Sequence, residues 1–449
     1  MEQIQKAKSG AIWAYGFCLF TFGLLFGMNT SYWAYFMTDI AQMPTELMAK
    51  TLVVANVCDW IMVFVAAIII QMTYPRIKYR TWVLVGPIVV AICFSIMFLP
   101  TNLSDTGKAF LYGGAYCFQT VFMSLMWGGI NTLVPLLGKR QEDRAAFSAR
   151  KAQGNQLGKV VFGFVTLPLI LLNNGGEKAK GTGFFVMTVI YAIIFLASFV
   201  IMWRYAKDAD EEELLLKEEE KTPLLEMFKI FLTNPHLLSA IVADSCRYVA
   251  QFVVWGLAVY YFRYAMGQME MQAVFLTTMS IIGFFGAVFG EFLARKIDKR
   301  TVFIAGLLIL AVCHVLCYFV AKDAITFIII ISLGYFGVSW ANANAIALQS
   351  DATVYSEWKT GKEVKGFLMG MGQLVPKMAN IVVSLVIGVG LTAIGYVANV
   401  DMSPEAIDGL NKLINLIPAG FLVLGALLLF FFNKLTVAKM KEIQTDLQA

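Results

Sequence analysis

The chain is poor in charge. Asp, Glu, Lys and Arg make up 14% of its 449 residues, against about 25% in a typical soluble domain. That shortage excludes an ordinary water-soluble globule. Histidine is nearly absent: His236 and His314 are the only two, too few for a histidine-built metal centre. The seven cysteines are Cys18, Cys58, Cys93, Cys117, Cys246, Cys313 and Cys317. None forms a Cys-x-x-Cys pair and all lie in apolar runs, so they are expected to be small buried residues, not disulfides or metal ligands. No G-x-x-x-x-G-K-S/T loop occurs, so no ATP-driven motor is expected. No constellation of His, Cys or paired carboxylates suggests an enzyme, and no cofactor is expected. The net charge of +5 comes from basic residues in short loops, so a nucleic-acid partner is not expected either.

Apolar residues fill this space: 59% of the chain, with mean hydropathy +0.70. Runs of about twenty recur along the whole length, which is the signal of helices that span a bilayer. The alternation of a membrane barrel is not visible. The pattern predicts an all-α membrane protein with twelve transmembrane helices in two six-helix bundles. The spans are expected near 11–37, 46–73, 81–100, 108–137, 146–172, 183–206, 236–265, 270–294, 301–321, 324–349, 364–395 and 407–433. The first run is too long for a signal-peptide core and lacks a small-residue cleavage site, so it counts as a helix. Lys6 and Lys8, Arg76 to Arg80, Lys139 to Lys151, Arg204 to Lys229, Arg295 to Arg300, Lys359 to Lys365 and the C-terminal lysines share one side. Lys50, Lys108, Lys178, Lys180, Arg263, Lys322 and Lys412 are all that the other side holds. That bias puts both termini in the cytoplasm.

The acidic stretch from Lys207 to Pro235 reads as a solvated linker. It suggests a bundle over 1–206, a linker over 207–235, a second bundle over 236–434 and a tail over 435–449. A faint repeat supports the division. Tyr79-Arg-Thr-Trp-Val-Leu-Val-Gly86 follows span two, and Lys299-Arg-Thr-Val-Phe-Ile-Ala-Gly306 follows span eight, 220 positions on (79 to 299). A parallel repeat of six helices is a transporter architecture with its substrate site near the midplane.

Charges inside the spans are the candidate functional residues, because each is costly in lipid. Asp59 stands in the middle of span two, with Asn56 three residues earlier on nearly the same face. It suggests a cation or proton site; a structural carboxylate is the bland alternative. Lys377 in span eleven follows Gln373 and Pro376, and proline frees a backbone carbonyl beside it. Asp244 and Arg247 are three apart on span seven, so an internal ion pair and a substrate contact are equally open. Lys159 and Arg150 on span five are nine apart, about half a turn out of phase, and cannot share a cavity on a straight helix. Trp127, Asn131, Trp340, Asn342 and Asn344 fit a sugar site in type, though each also serves as ordinary packing or helix–helix glue. His314 reads as structural.

At Ser350–Gly366, SDATVYSEWKTGKEVKG, the chain resembles the segment between helices ten and eleven of the glycoside–pentoside–hexuronide:cation symporters. These form the melibiose-carrier-like branch of the major facilitator superfamily. Tyr15-Gly16, Tyr35-Phe-Met-Thr-Asp39, Leu133-Val-Pro135, Asn234-Pro-His-Leu-Leu238, Tyr260-Tyr-Phe262 and Gly395-Tyr-Val-Ala-Asn399 agree in order and spacing. The resemblance implies a sugar symporter coupled to Na⁺, Li⁺ or H⁺. It places Asp59 at the first helix-two aspartate of the cation site, Ser124 at its helix-four hydroxyl, Lys377 at the helix-eleven lysine and Arg150 at the helix-five arginine. The departures are equally clear. The second helix-two aspartate is Val63, the acidic sugar-holding positions are Gly23 and Trp127, and the Arg and Glu of the helix-ten segment are Glu363 and Lys365.

The expected function is therefore alternating-access import of a small-molecule sugar by a monomer in a bacterial inner membrane. The coupling residues would be Asp59, Ser124, Asn56 and Lys377. Lys377, Gln373, Arg150, Trp127, Asn131, Arg247, Asp244 and Asn344 are the substrate candidates. Asp351, Tyr355, Glu357 and Arg144 are candidates for a cytoplasmic gate, with Glu142 and Lys359–Lys365 beside them. Asp59 and Ser124 are two hard oxygens where Na⁺ wants several, so H⁺ is favoured over Na⁺, with no metal beyond a transported Na⁺. Loss of two acids with retention of Lys377 and Arg247 favours an acidic sugar, a uronide or sulfonated hexose. Na⁺-coupled transport of a neutral glycoside and an uncoupled facilitator are the alternatives.

Overall fold

The computed structural model describes residues 7–73, 76–138, 140–175, 181–207, 224–294, 296–362 and 364–448. All regular structure among the described residues is helical. In a bilayer every backbone N–H and C=O must bond inside its own segment or to a closed sheet, and long apolar runs without alternation leave only the helix. The helices are α1 (Ser9–Tyr35), α2 (Thr45–Thr73), α3 (Tyr79–Met97), α4 (Asp105–Leu137), α5 (Gln141–Asn173), α6 (Thr182–Tyr205), α7 (Leu224–Thr233) and α8 (Pro235–Tyr260). They continue with α9 (Met271–Ala294), α10 (Lys299–Val320), α11 (Ala324–Thr360), α12 (Lys365–Met371), α13 (Val375–Ala393), α14 (Pro404–Phe432) and α15 (Val437–Gln448). Among the described residues, twelve stretches are long and apolar enough to cross a membrane, the eleventh combining parts of α12 and α13 across a 3₁₀ turn at Gly372–Leu374.

Polar residues set the helix starts. Ser104, Asp298, Asp323 and Ser403 each accept a bond from the backbone N–H three positions on, satisfying an otherwise orphaned donor. Asn234 caps α8 in the same way through the N–H groups of His236 and Leu237, with Pro235 in the first turn. Its amide also donates to the Ala352 carbonyl (2.7 Å) and the Ser356 hydroxyl (2.6 Å), tying the start of α8 to the end of α11.

Two helices exceed their expected length. α11 runs to Thr360, not 349, so the polar Ser350–Thr360 segment is helix that ends at Gly361 in the left-handed region (φ +66°). An apolar run marks only what faces lipid. Leu348, Ala352, Thr353 and Ser356 are buried at helical spacing, and one packed face is enough to carry the helix on. α5 likewise begins at Gln141, five residues before its apolar run.

The chain divides into two compact units. One holds Met1–Lys217, Gln272–Thr277 and Leu391–Asp401; the other holds Glu218–Met271, Thr278–Gly390 and Met402–Ala449. The helix pairs repeat between them. α3 packs on α4 and α6 and α1 on α6 in the first; α10 packs on α11 and α14 and α8 on α14 in the second. The ends of α1 and α8 repeat in detail. Each closes with a π turn, Phe36–Ile40 and Tyr261–Ala265. Each turn is followed by a residue at positive φ, Gln42 (55°) and Gly267 (67°). The bonds Ala41 N–H to Phe36 O and Met43 N–H to Met37 O recur as Met266 to Tyr261 and Gln268 to Phe262.

Glycine brings α1 and α5 into backbone contact. Cβ atoms on Gly154 and Gly158 would run into the carbonyl oxygens of Gly16 and Phe20, and one on Gly23 would lie 3.3 Å from Gly158 Cα. Without a hydrophobic driving force between helices in lipid, such close approach supplies the packing. Gly154→Ala should therefore lower the melting temperature in detergent, at about 1–3 kcal/mol of overpacking. Gly114→Ala, with nothing within 4 Å of the new methyl, should leave it unchanged or slightly raised. Equal melting of the two variants would refute the backbone contact.

Candidate functional site

Asp59 lies on the buried face of α2, 8% exposed. Asn56, one turn earlier, donates its amide to the Leu52 carbonyl (3.0 Å) and accepts from the Tyr116 hydroxyl of α4 (3.2 Å). The Tyr116 ring stacks face to face on Trp33 of α1, with centroids 4.6 Å apart and planes at 8°. Asn29 bonds the Tyr116 side chain, Tyr116 and Cys117 lie near enough to Asp59 to feel its charge, and Cys58 precedes it in the chain. Within the first unit, amides, a phenol and thiols of α1, α2 and α4 thus lie near Asp59.

The register of α2 against α4 places the other candidates. Thr51 lies beside Gly113, Asn56 bonds Tyr116, and Ile70 lies beside Gly128. Interpolation sets Asp59 level with Gln119 and Val63 level with Phe122 or Met123. Ser124 is therefore roughly a turn further along than Asp59, at the depth of the absent second acid, given 1.5 Å of rise per residue. The sequence reading put Ser124 with Asp59. It overlooked Tyr116, Trp33, Asn29 and Gln119, whose only sequence signal is polar or aromatic character inside an apolar run. Asn29 Oδ1 and Gln119 Oε1 are buried with no hydrogen-bond partner among the described residues.

Gly23, in place of a sugar-holding acid, occupies the α1–α5 crossing, where helix approach leaves little room for a side chain. Trp127, in place of the other, is half-buried and packs edge-on against Phe22 (5.1 Å) and Phe199 (6.5 Å). Arg150 stacks over the Trp13 ring at 3.8 Å and donates to Gln153. Its Cα aligns with Gly154 and Gly158 on the face turned to α1. Lys159 is half-buried and Asn131 exposed.

The remaining candidates belong to the second unit. Lys377 is half-buried on α13, just past Pro376; the Gln373 side chain lies outside the described residues. Asp244 and Arg247 form a buried ion pair, Oδ1 to Nε 2.7 Å, with side chains 6% and 2% exposed. Arg247 also donates to Gln251 (2.9 Å) and lies over the Tyr248 ring (4.1 Å). Its charge is answered within its own helix. Asn344 uses its amide on the carbonyls of Trp340 (2.9 Å) and Gly290 (3.3 Å), joining α11 to α9. His314 bonds Asn415 (3.3 Å), in keeping with a structural role.

Among the gate candidates, Asp351 is held by Lys299 at 2.8 Å. Tyr355 stands edge-on to His236 at 4.6 Å, beside an apolar cluster that includes Leu237, Ile241, Leu435 and Met440. Glu357 is half-buried, and the Arg144 side chain lies outside the described residues. Glu142 pairs with Arg140 (2.9 Å) and Lys362 with Glu226. Glu363 and the Lys365 side chain also lie outside the described residues.

The sequence pattern described as MFS/sugar transport protein matches residues 14–435. The chain belongs to this family. It is therefore a twelve-helix multi-pass membrane transporter of the major facilitator superfamily and not an enzyme. An uncharacterised symporter of Bacillus subtilis is 26% identical over 97% of this chain and 94% of its own length. A protein of Escherichia coli named as a 2,3-dihydroxypropane-1-sulfonate exporter is 26% identical over 84% and 81%. One of Salmonella typhimurium named as a sulfoquinovose importer is 24% identical over 94% and 89%. Among solved structures, a bacterial homologue of the human lysosomal transporter Spinster shares the fold, with TM-score 0.69 at 12% identity over 97% of each chain.

The transporter's buried pair gives a direct test. Asp244→Asn should leave Arg247 uncompensated and destabilise the protein by about 3–5 kcal/mol, read as lost folded yield and a lower melting temperature. Asp244→Leu with Arg247→Leu should recover most of that loss. If the double variant is as unstable as the single one, the pair is not a self-contained structural unit.

Proposed function

We propose that this transporter imports an acidic sugar or its glycoside, a uronide or a sulfonated hexose, together with a proton. It would do so through a bacterial inner membrane by alternating access, with both termini in the cytoplasm. The observation that carries the proton is Asp59: a buried carboxylate beside an amide, a phenol and thiols, with Val63 where a second acid would stand and Ser124 a turn away. Hard cations select cages of several oxygens. A single carboxylate beside an amide, a phenol and thiols suits a proton better. Asn29 Oδ1 and Gln119 Oε1 favour the second reading, Na⁺-coupled uptake of a neutral glycoside.

The acidic substrate is supported by two positions. Gly23 and Trp127 remove negative charge that would repel it, and Lys377 keeps a positive one on α13. Arg247 no longer contributes. The names of two relatives, both sulfonate or sulfo compounds, point the same way. Loading Asp59 from outside would favour closure around the sugar, and Lys377 would answer to occupancy of the sugar site.

The charge count makes this testable. One inward charge gains about 2.3 kcal/mol per 100 mV, enough to concentrate a neutral sugar roughly fifty-fold. A monoanion carried with one proton moves no net charge, so that gain vanishes and only the pH gradient drives uptake. Sulfoquinovose or glucuronate added to right-side-out vesicles should alkalinise the medium. Uptake should follow an imposed pH gradient and be indifferent to a potassium diffusion potential and to Na⁺. Strict Na⁺ dependence would sink the proton reading; neutral sugars competing as well as acidic ones would remove the acidic substrate.

A further inference from the structure

A second buried carboxylate lies outside the Asp59 site. Asp39, 1% exposed, sits in the π turn that ends α1. Its Oδ2 accepts from the Thr38 hydroxyl (2.7 Å) and from the Tyr396 hydroxyl (2.5 Å). Its backbone carbonyl accepts from the Asn399 amide (2.8 Å). Hydrogen bonds from hydroxyls to a carboxylate are among the strong ones, and this one is buried. Thr38 is its sequence neighbour. Tyr396 and Asn399 are some 360 residues away, in the connection between α13 and α14.

The backbone of that connection is shaped to reach Asp39. Gly395 and Asn399 both adopt positive φ, 70° and 59°. Glycine does so freely, while asparagine does so at some cost. The connection also changes partners along the sequence: the chain belongs to the second unit up to Gly390, to the first from Leu391 to Asp401, and to the second again from Met402.

The internal repeat supplies a control. The π turn at Tyr261–Ala265 has the same closing bonds and the same positive-φ residue after it. There, 225 positions on, Tyr264 stands for Asp39 and Arg263 for Thr38. The turn therefore forms without a carboxylate, so building it is not what Asp39 is for. What distinguishes Asp39 is its hold on Tyr396 and Asn399.

We propose that Asp39, Tyr396 and Asn399 form a releasable clasp on the membrane face opposite the termini, and that its opening is a step of the transport cycle. The face follows from topology: α1 carries the chain across once before Asp39, and eleven spans precede Tyr396. A segment that belongs to one unit while flanked by the other must be let go, or must drag its flanking helices, whenever the units shift. Side-chain hydrogen bonds to one residue, Tyr396 to the Asp39 carboxylate and Asn399 to its backbone carbonyl, suit the first course. This inference needs no particular coupling ion or sugar.

Tyr396→Phe removes one oxygen and tests the clasp without emptying the site. Hydrogen exchange is followed by mass spectrometry on the full-length purified protein, without substrate. Amides of 36–44 and 391–401 should exchange faster by about threefold or more. Those of 141–147 and 350–361, on the face of the termini, should slow by a similar factor, because opening one face of an alternating-access carrier closes the other. Asp39→Asn should act in the same direction, and the double variant should add little. A rise confined to 391–401, with the face of the termini unchanged, would make the contact a local structural tie and overturn the proposal. No change at 391–401 in Tyr396→Phe would overturn it as well.

Discussion

A charge placed inside a membrane helix must be answered by the protein, because lipid offers nothing to solvate it. Three carboxylates in this transporter meet that constraint in three ways. Asp244 is neutralised by Arg247, a turn away on the same helix. Asp39 is held by hydroxyls, one from a distant stretch of chain. Asp59 lies beside an amide, a phenol and thiols. The first solution is fixed, since losing either partner leaves a bare charge. The second can be opened by breaking a few bonds. The third suits a group whose charge comes and goes. On the proposals made for Asp59 and Asp39, structure, conformational change and coupling draw on one residue type, separated by what surrounds it.

The helices that hold these groups are positioned by what they lack. α1 and α5 meet through Gly16, Gly23, Gly154 and Gly158, and α9 meets α11 through Gly286 and Gly290 against Phe336 and Trp340. Close approach brings the polar residues of neighbouring turns within bonding distance: Asn344 reaches the Gly290 carbonyl across the second crossing. It also accounts for Gly23. Where relatives of this branch are expected to carry a sugar-holding acid, α1 instead presses against α5.

Much of the fold was legible in the sequence because hydrophobic run length is a direct physical requirement of the bilayer. Twelve spans and the six-plus-six repeat follow from it. The extension of α11 to Thr360 was not legible, since a helix leaving the membrane is held by one packed face and no longer by overall hydropathy. The π turns at Phe36–Ile40 and Tyr261–Ala265 were hidden for a related reason: one extra residue in a turn leaves the composition unchanged. At the site, Asp59 was conspicuous because a lone acid in an apolar helix is. Tyr116 and Trp33 were not, because aromatic residues are common in such helices and only the fold shows that these two stack, with Tyr116 bonded to Asn56. Asp244 and Arg247 could be paired from their spacing, but only the fold shows how deeply the pair is buried.

The central claim is that Asp59 couples sugar movement to a cation and does not merely hold helices together. Asp59→Asn keeps the shape and removes the titration. In sealed vesicles loaded with sulfoquinovose or glucuronate, this variant should still exchange labelled for unlabelled substrate at close to the parent rate. It should fail to accumulate substrate above the external concentration when a pH gradient is imposed. Accumulation that matches the parent protein would contradict the account and return Asp59 to a structural role.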